Sequence, residues 1–287
     1  MSFYQPRRAY FQDAVSLTRA DRHLTREELQ TIAPSTYQEE AHNSRSDRYG
    51  HVSTREVIRA LWAEGFAPFG VQQARVRTED KAGFQKHMIK FRRRDDALSK
   101  GEAQRVGEVR AEVVLVNSHD GSSSFQLYAG LFRLVCLNGM VVGENVQSVR
   151  VPHSVRAVAG VIDATQTLAQ QAVEVFPLID AMKARDLTRV ERLELAEEAL
   201  ALRHGVGESP ISPELALRPI RHGDVGTDLY TTYNVLQEKL IRGGDRVVIK
   251  TEAGHLRRQT TRAVTGIDGN VQLNRALWDA AASRLAA

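Results

Sequence analysis

The spacing of apolar residues divides the chain into an irregular beginning, a strand-rich middle and a helix-rich end. Over residues 1–50, short polar clusters alternate with scattered aromatics (Phe3, Tyr4, Tyr10, Phe11, Tyr37), and only Thr25 to Ala33 carries a helical pattern. This stretch is expected to be an N-terminal arm that docks on a neighbouring subunit. Ser53 with Glu56 three positions on forms a capping-box pattern, and Val57, Ile58, Leu61 and Trp62 share one helical face up to Gly65. The period then changes to two. Val71 to Arg77 and Lys86 to Arg94 are predicted strands. Val109, Ala111, Val113 and Leu115 alternate with Arg110 and Glu112, His119-Asp120-Gly121 supplies a turn, and Phe125 to Leu137 returns as a long strand. Its second half, Leu131 to Leu137, is apolar on both faces and suits a central, doubly covered strand. Asn138-Gly139 predicts a tight turn before Met140-Val141-Val142.

From Pro152 onward the period is helical. Val155, Val158, Ile162, Leu168, Ala172, Val175 and Ile179 recur every three or four positions, and Pro177 inside that run is expected to kink or end the helix. Thr188 with Glu191 opens a second capped helix that reaches Gly205, and Pro210, Pro213 and Pro219 mark a loop. Asp228 to Arg242 is a helix with Leu229, Tyr233, Leu236 and Leu240 on its buried stripe and Gly243-Gly244 as its stop. Arg246 to Lys250 and His255 to Thr265 predict a hairpin, followed by a helix from about Val271. The elements add up to an α+β fold with a central, mainly antiparallel sheet. Its β-β-β-α core would be covered by the long helix after Pro152 and by the C-terminal helices. Residues 51–287 are expected to form a single domain behind the arm of residues 1–50.

Composition narrows the function classes. With 287 residues, 42% hydrophobic and 26% charged, the chain falls among globular proteins rather than fibrous or disordered ones. It offers no long apolar run for a membrane span, and MSFYQPRRAYFQD lacks the apolar core of a signal peptide, so a cytoplasmic location with no membrane partner is expected. The single cysteine, Cys136, excludes an internal disulfide and a cysteine-based zinc site, and its place in an apolar strand suits a core residue.

Charge is distributed unevenly. The net charge of +4 hides a skew to 32 arginines over seven lysines, which fits both a GC-rich coding bias and recognition of phosphate. Arg75 to Arg94 carries eight basic residues against Glu79 and Asp80, whereas residues 151–200 carry five basic and eight acidic groups. A polyanionic partner follows from that concentration. Arg92 and Arg94 would share one strand face and Arg93 the other; His255, Arg257, Arg258 and Arg262 form a second basic strand segment. If the two segments met, they would line a groove for a polynucleotide backbone. Arg133, within an apolar strand, needs either an internal carboxylate or a ligand phosphate.

Catalytic signatures are scarce. The sequence contains no Walker loop, no G-x-G-x-x-G, no G-x-S-x-G and no H-E-x-x-H, and its nine histidines are dispersed. His119-Asp120-Gly121 reads as turn chemistry. Asp245 to Lys250 resembles a metal-nuclease strand, but Val248 stands where the acidic residue before the lysine is needed. Tyr230, Asn234, Gln237 and Ile241 make a polar stripe whose amides would cap neighbouring loops.

Several segments resemble the phage- and plasmid-encoded proteins of the "domain of unknown function nine-three-two". They are Val52-Ser53-Thr54 with Val57-Ile58 and Gly65-Phe66, and Gly83-Phe84 with His87-Met88 and Phe91-Arg92. Asn117 to Gly121, Gly130 to Cys136 with Asn138-Gly139, Asp228-Leu229 with Tyr233-Asn234 and Gln237-Glu238, and Asn274 to Trp278 continue the match. The resemblance spans roughly residues 50 to 280 and implies a mobile-element gene; it carries no catalytic residues over. The β-β-β-α order is similar, at fold level only, to single-strand annealing recombinases of the Red-beta and RecT type, which need neither nucleotide nor metal.

The function expected from these readings is binding of single-stranded DNA, with RNA not excluded and strand annealing as an extension, in recombination or replication. It would be carried out by a homo-oligomeric ring or filament without cofactor, metal or catalytic residues. Lys90, Arg92, Arg94, Arg257, Arg258 and Arg262 would hold phosphates, with Arg75, Arg77 and Arg133 in support. Two other readings stand beside it. One is a non-enzymatic regulator or anti-defence protein that meets a host protein through the acidic helix from Glu191 to Glu198; the other is a metal-dependent nuclease.

Overall fold

The structure is a computed structural model that describes residues 15–18, 22–45, 51–76, 78–94, 109–133, 138–141, 149–150, 157–250 and 254–285. It is α+β, as the sequence pattern predicts. The chain forms two compact units, the first comprising Met1–Gly139 with Asn145–Val173 and the second Met140–Glu144 with Glu174–Ala287. The described residues of the segment read as an arm, 15–18 and 22–45, fall in the first unit.

That segment is tied down by ordinary packing. Helix α1 (Arg26–Ile32) starts at a reciprocal capping box in which Thr25 Oγ1 accepts from Glu28 N–H and Glu28 returns the bond to Thr25 N–H. Leu24, Leu29 and Ala33 are buried, and Leu24 N–H donates to Pro68 O. Helix α2 (Thr54–Ala63) has Ser53 as its cap and packs on β2 (Phe66–Gln73), burying Val57, Ile58 and Leu61.

In the sheet of the first unit the strands run β1 (Val15–Thr18), β2, β3 (His87–Arg93), β4 (Val109–Asn117), β5 (Gln126–Arg133) and β6 (Asn138–Val141), with β7 (Val149–Arg150) also paired to β5. The β1–β2, β2–β3, β3–β4, β4–β5 and β5–β7 pairings are antiparallel. Asn138-Gly139, expected as a turn, opens strand β6 instead. Every residue of β2 is buried, so both faces of the sheet are covered there. Pro68 has no N–H for the ladder, and the register with β3 slips between Pro68 and Gly70. Phe66, Ile89, Phe91, Leu115 and Leu127 form the centre of this core.

The second unit is helical around α7 (Leu229–Arg242). Glu174 ends α3 (Ala157–Glu174) and α4 (Phe176–Ala184) restarts with Pro177 in its first turn, where its missing N–H costs nothing. Helix α5 (Arg189–His204) carries the capping box of Thr188 and Glu191 that its sequence predicts. Short α6 (Pro213–Ala216), α4, α5 and α8 (Ile267–Ala282) all pack against α7, whose Leu229, Tyr233 and Leu236 are buried with Trp278 of α8. The C-terminal helices thus pack on one another rather than being grouped with the sheet's unit. Strands β8 (Arg246–Lys250) and β9 (Leu256–Thr260) form a separate antiparallel ribbon.

One glycine fixes the base of that ribbon. Gly243 ends α7 at φ +61°, and a Cβ there would stand 2.6 Å from Thr261 O and 2.7 Å from Arg262 C. Gly244 N–H donates to Thr261 O, Thr261 N–H to Asp245 O, and Val264 N–H to Ile241 O, so the helix end and the ribbon are joined backbone to backbone. Gly243→Ala combines a left-handed φ with a backbone clash and is expected to lower stability by about 3 kcal/mol in urea unfolding. A loss under about 0.5 kcal/mol would show that the junction yields freely.

Candidate nucleic-acid interface

The β8–β9 ribbon concentrates unneutralised positive charge. All five residues of β9 are exposed, as are Arg246 and Val248 on β8 and Arg262 just beyond β9. Pairing sets Val248 opposite Arg258, Ile249 opposite Arg257 and Arg246 opposite Thr260. Because neighbours along a strand point to opposite faces, Arg246 and Arg258 share one face and Arg257 occupies the other. Val247, on the Arg257 face, is buried and anchors that side to the unit. An open groove of about 540 Å³ is lined by Arg246, Val247, Val248, Arg258, Gln259 and Thr260. Asp245, the acidic residue at the ribbon's start, is occupied by Lys239 Nζ at 2.6 Å. Among the described residues no carboxylate pairs with Arg246, Arg257, Arg258 or Arg262. The ribbon can therefore present guanidinium groups to phosphates without first breaking an ion pair.

The basic segment of the first unit divides differently. Arg92, expected to hold phosphate, is 3% exposed, with Nε donating to Glu112 Oε1 at 2.7 Å and its guanidinium 4.6 Å from the Phe69 ring centroid. This overturns its place in the interface. Arg92 and Glu112 lie one step beyond the last β3–β4 pair, Phe91 with Val113, and both are buried, so the charge is consumed internally. Lys90 is half-buried with its stem against Gly70. Arg93 and Arg94 are exposed: Arg93 lies over the Phe66 ring at 5.2 Å, and Arg94 over Trp62 at 4.3 Å while donating to Trp62 O. Arg75 is exposed beyond β2. Arg77 and Cys136 lie outside the described residues, as does the side chain of Arg133 at the end of β5. The two basic segments fall in different units, Lys90 to Arg94 in the first and Arg257 to Arg262 in the second.

Three features of interest escaped the sequence reading. Arg246 joins the interface only through strand pairing, which its position in a nuclease-like strand concealed. Trp62 shares one helical face with Val57, Ile58 and Leu61, yet it is 38% exposed.

The third feature is a buried polar chain in the first unit. Gln73, His87 and Asn117 lie side by side across β2, β3 and β4. Ser35 Oγ donates to Gln73 Oε1 at 2.7 Å, which leaves it to accept from His87 Nδ1 at 2.9 Å. His87 Nε2 then accepts from Thr54 Oγ1 at 2.9 Å, and Thr54 Oγ1 in turn accepts from Asn117 Nδ2 at 2.9 Å. His119 Nε2 reaches the same hydroxyl at 3.5 Å, and His119 Nδ1 shares a hydrogen bond of 2.9 Å with His51 Nε2. With His87 neutral, its proton on Nδ1 and its Nε2 accepting from Thr54, each of the contacts of His87 has a donor and an acceptor. Burial agrees, since it pushes His87 down from 6.5 to about 4. The nitrogens engage one another and hydroxyls rather than converging on a point. Among the described residues no group of three or more His, Cys, Asp or Glu is placed to hold a metal. The chain joins α2 and the segment after α1 to the sheet. His119, expected at an exposed turn, is fully buried, while Asp120 and Gly121 do form the turn, with Asp120 Oδ1 accepting from Ser122 N–H and Gly121 at φ +74°.

The remaining candidates are occupied by structure. Gln237 bonds Asn274 of α8, and Asn234 donates to Tyr230 O, so the amide stripe of α7 joins helices rather than capping loops. Buried Glu238 receives both Arg221 and Arg242. On the acidic helix α5, Glu191 caps its own N-terminus and pairs with Arg185, and Glu198 pairs with Arg284.

With this geometry in place, comparison with known proteins gives a family without an activity. The family described as "Domain of unknown function (DUF932)" matches residues 41–278, and the chain belongs to it. It is 42% identical over 269 residues to the UPF0380 protein YafZ of Escherichia coli (strain K12), covering 92% of this chain and 93% of that protein. The UPF0380 protein YfjQ of the same organism is 42% identical over 265 residues, with the same coverage. No solved structure matches.

Proposed function

We propose that this protein binds nucleic acid, with single strands as its preferred form, and that the β8–β9 ribbon is the surface that holds the phosphates. The observation that carries this reading is the ribbon's charge: Arg246, Arg257, Arg258 and Arg262 are exposed and unpaired among the described residues. Such a surface releases counterions when it meets a polyanion, which gives affinity without sequence readout and without a reaction. Strand annealing in recombination or replication of a mobile element extends this reading, since bringing two strands to one charged protein needs no hydrolysis. Oligomerisation into a ring or filament and a cytoplasmic location belong to the same proposal. Among the described residues no helix is long and apolar enough to cross a membrane.

The test is fluorescence anisotropy of labelled single-stranded DNA, duplex DNA and RNA of equal length against the full chain. Arg257→Ala/Arg258→Ala/Arg262→Ala is expected to weaken single-strand binding by at least ~30-fold at moderate salt. These side chains are exposed, so folding is retained and circular dichroism should not change. Equal binding by the triple variant would remove the ribbon from the account. Capture of a single host protein by a chain that binds no oligonucleotide would favour the regulator reading.

A further inference from the structure

The first unit carries an exposed aromatic among cations, which is the other half of what a single-strand surface needs. Trp62 stands at the end of α2 with Arg94 over its ring at 4.3 Å and the His23 ring edge-on at 5.0 Å. Arg59 lies one turn earlier on the same helix face, and Arg93 ends β3 and covers Phe66. Arg59, Arg93 and Arg94 are all exposed, and no carboxylate among the described residues pairs with them. Glu64 is two positions beyond Trp62, on another side of the helix end, and accepts from Gln166.

This proposal rests on the nucleic-acid reading above and adds the part that reads bases. We infer that Trp62 and Arg94 form a stacking platform for an unpaired base, with Arg59 and Arg93 taking the flanking phosphates. A guanidinium held over an indole is itself a planar π surface, and Arg94, being exposed, offers its outer side as the next layer. Arg94 is held in place by its bond to Trp62 O and by its own N–H bond to Gly65 O, so the platform exists before the ligand arrives. Bases in a duplex are stacked on their neighbours and cannot use it; an unpaired base can. The ribbon then supplies charge-driven affinity, and this platform supplies the preference for single strands.

The protein reports on this site directly, because Trp62 is exposed and the other tryptophan, Trp278, is 1% exposed. Full-length protein is titrated with a short oligothymidylate, with a duplex of equal length, and with an abasic deoxyribose-phosphate oligomer that has the same charge and no bases. Binding is followed by intrinsic fluorescence and, in parallel, by anisotropy of the labelled oligomers. The oligothymidylate is expected to quench Trp62, and the abasic oligomer to bind without quenching. Trp62→Leu, which keeps apolar bulk, is expected to weaken oligothymidylate binding ~10-fold and leave abasic binding unchanged, while Trp62→Phe stays within ~3-fold. If all three oligomers bind alike, with Trp62 unquenched and Trp62→Leu unaffected, the platform is overturned while the ribbon reading stands. If no oligomer binds even at low salt, both fall together.

Discussion

Arg92→Ala is expected to destabilise the first unit by about 3–5 kcal/mol, because it leaves the Glu112 carboxylate charged and unpaired in a covered sheet. Glu112 is 1% exposed and has Arg92 Nε at 2.7 Å, so water cannot replace the lost partner without opening the core. The guanidinium also fills the space over Phe69, and alanine would leave a void there. Replacing both partners with apolar residues of similar volume, as in Arg92→Met/Glu112→Leu, removes the orphaned charge and is expected to recover most of the loss. Urea unfolding of the three variants measures this. A single variant as stable as the parent would show that the pair is dispensable. There is a functional corollary. An Arg92 variant that fails to bind DNA reports unfolding rather than a missing contact, so the interface has to be tested at Arg94, Arg257, Arg258 and Arg262.

Mild acid is expected to loosen the same unit. His87 titrates near 6.5 when unfolded and at about 4 when folded, because burial opposes its charge. Between those values the unfolded chain binds the extra proton, so stability falls as pH drops through 6.5 and goes on falling to about 4. The full span is worth about 3 kcal/mol. Protonation also turns His87 Nε2 from acceptor to donor, so the Thr54 hydroxyl hydrogen has to turn away from it. Asp120, Glu27, Glu191 and Glu214 have lowered values, and their contributions are lost only at more acid pH, below their ordinary carboxylate range. His204, lowered by burial, acts in the same direction as His87 but belongs to the second unit. Amide exchange on β3 and β4 from pH 7.5 down to 5 isolates the His87 contribution. Protection factors there that do not fall across this range, once the slowing of intrinsic exchange with acid is divided out, or a His87 ring that titrates above pH 6 by NMR, would contradict a buried, neutral His87.

The features that sequence made legible are those decided within a few residues. The Thr188–Glu191 box, the Pro177 break, the Gly243 stop and strand β4 each depend on local chemistry, and each stands where its pattern put it. What escaped depends on pairing across the fold. Arg92 looked like a solvent-facing charge because alternation assigns a strand residue to a face but does not say whether that face is covered; the covering partner, Glu112, arrives from another strand. Trp62 shares the spacing of Val57, Ile58 and Leu61, yet an apolar stripe is wide enough for its margin to remain in water. The polar chain draws Ser35, Thr54, Gln73, His87 and His119 from separate elements, so no local motif announces it. Arg257, Arg258 and Arg262 were legible as a group because a two-stranded ribbon has little body to cover it.

The salt dependence of oligothymidylate binding, compared between the parent chain and Arg257→Ala/Arg258→Ala/Arg262→Ala, tests the central claim most directly. Each phosphate contact with a single strand contributes about 0.7 to the slope of log affinity against log salt, so losing three should reduce the slope by about 2. That reduction, with the fold intact, is the expected result; an unchanged slope, or a parent chain with no affinity at low salt, would contradict the assignment of the ribbon as a nucleic-acid interface.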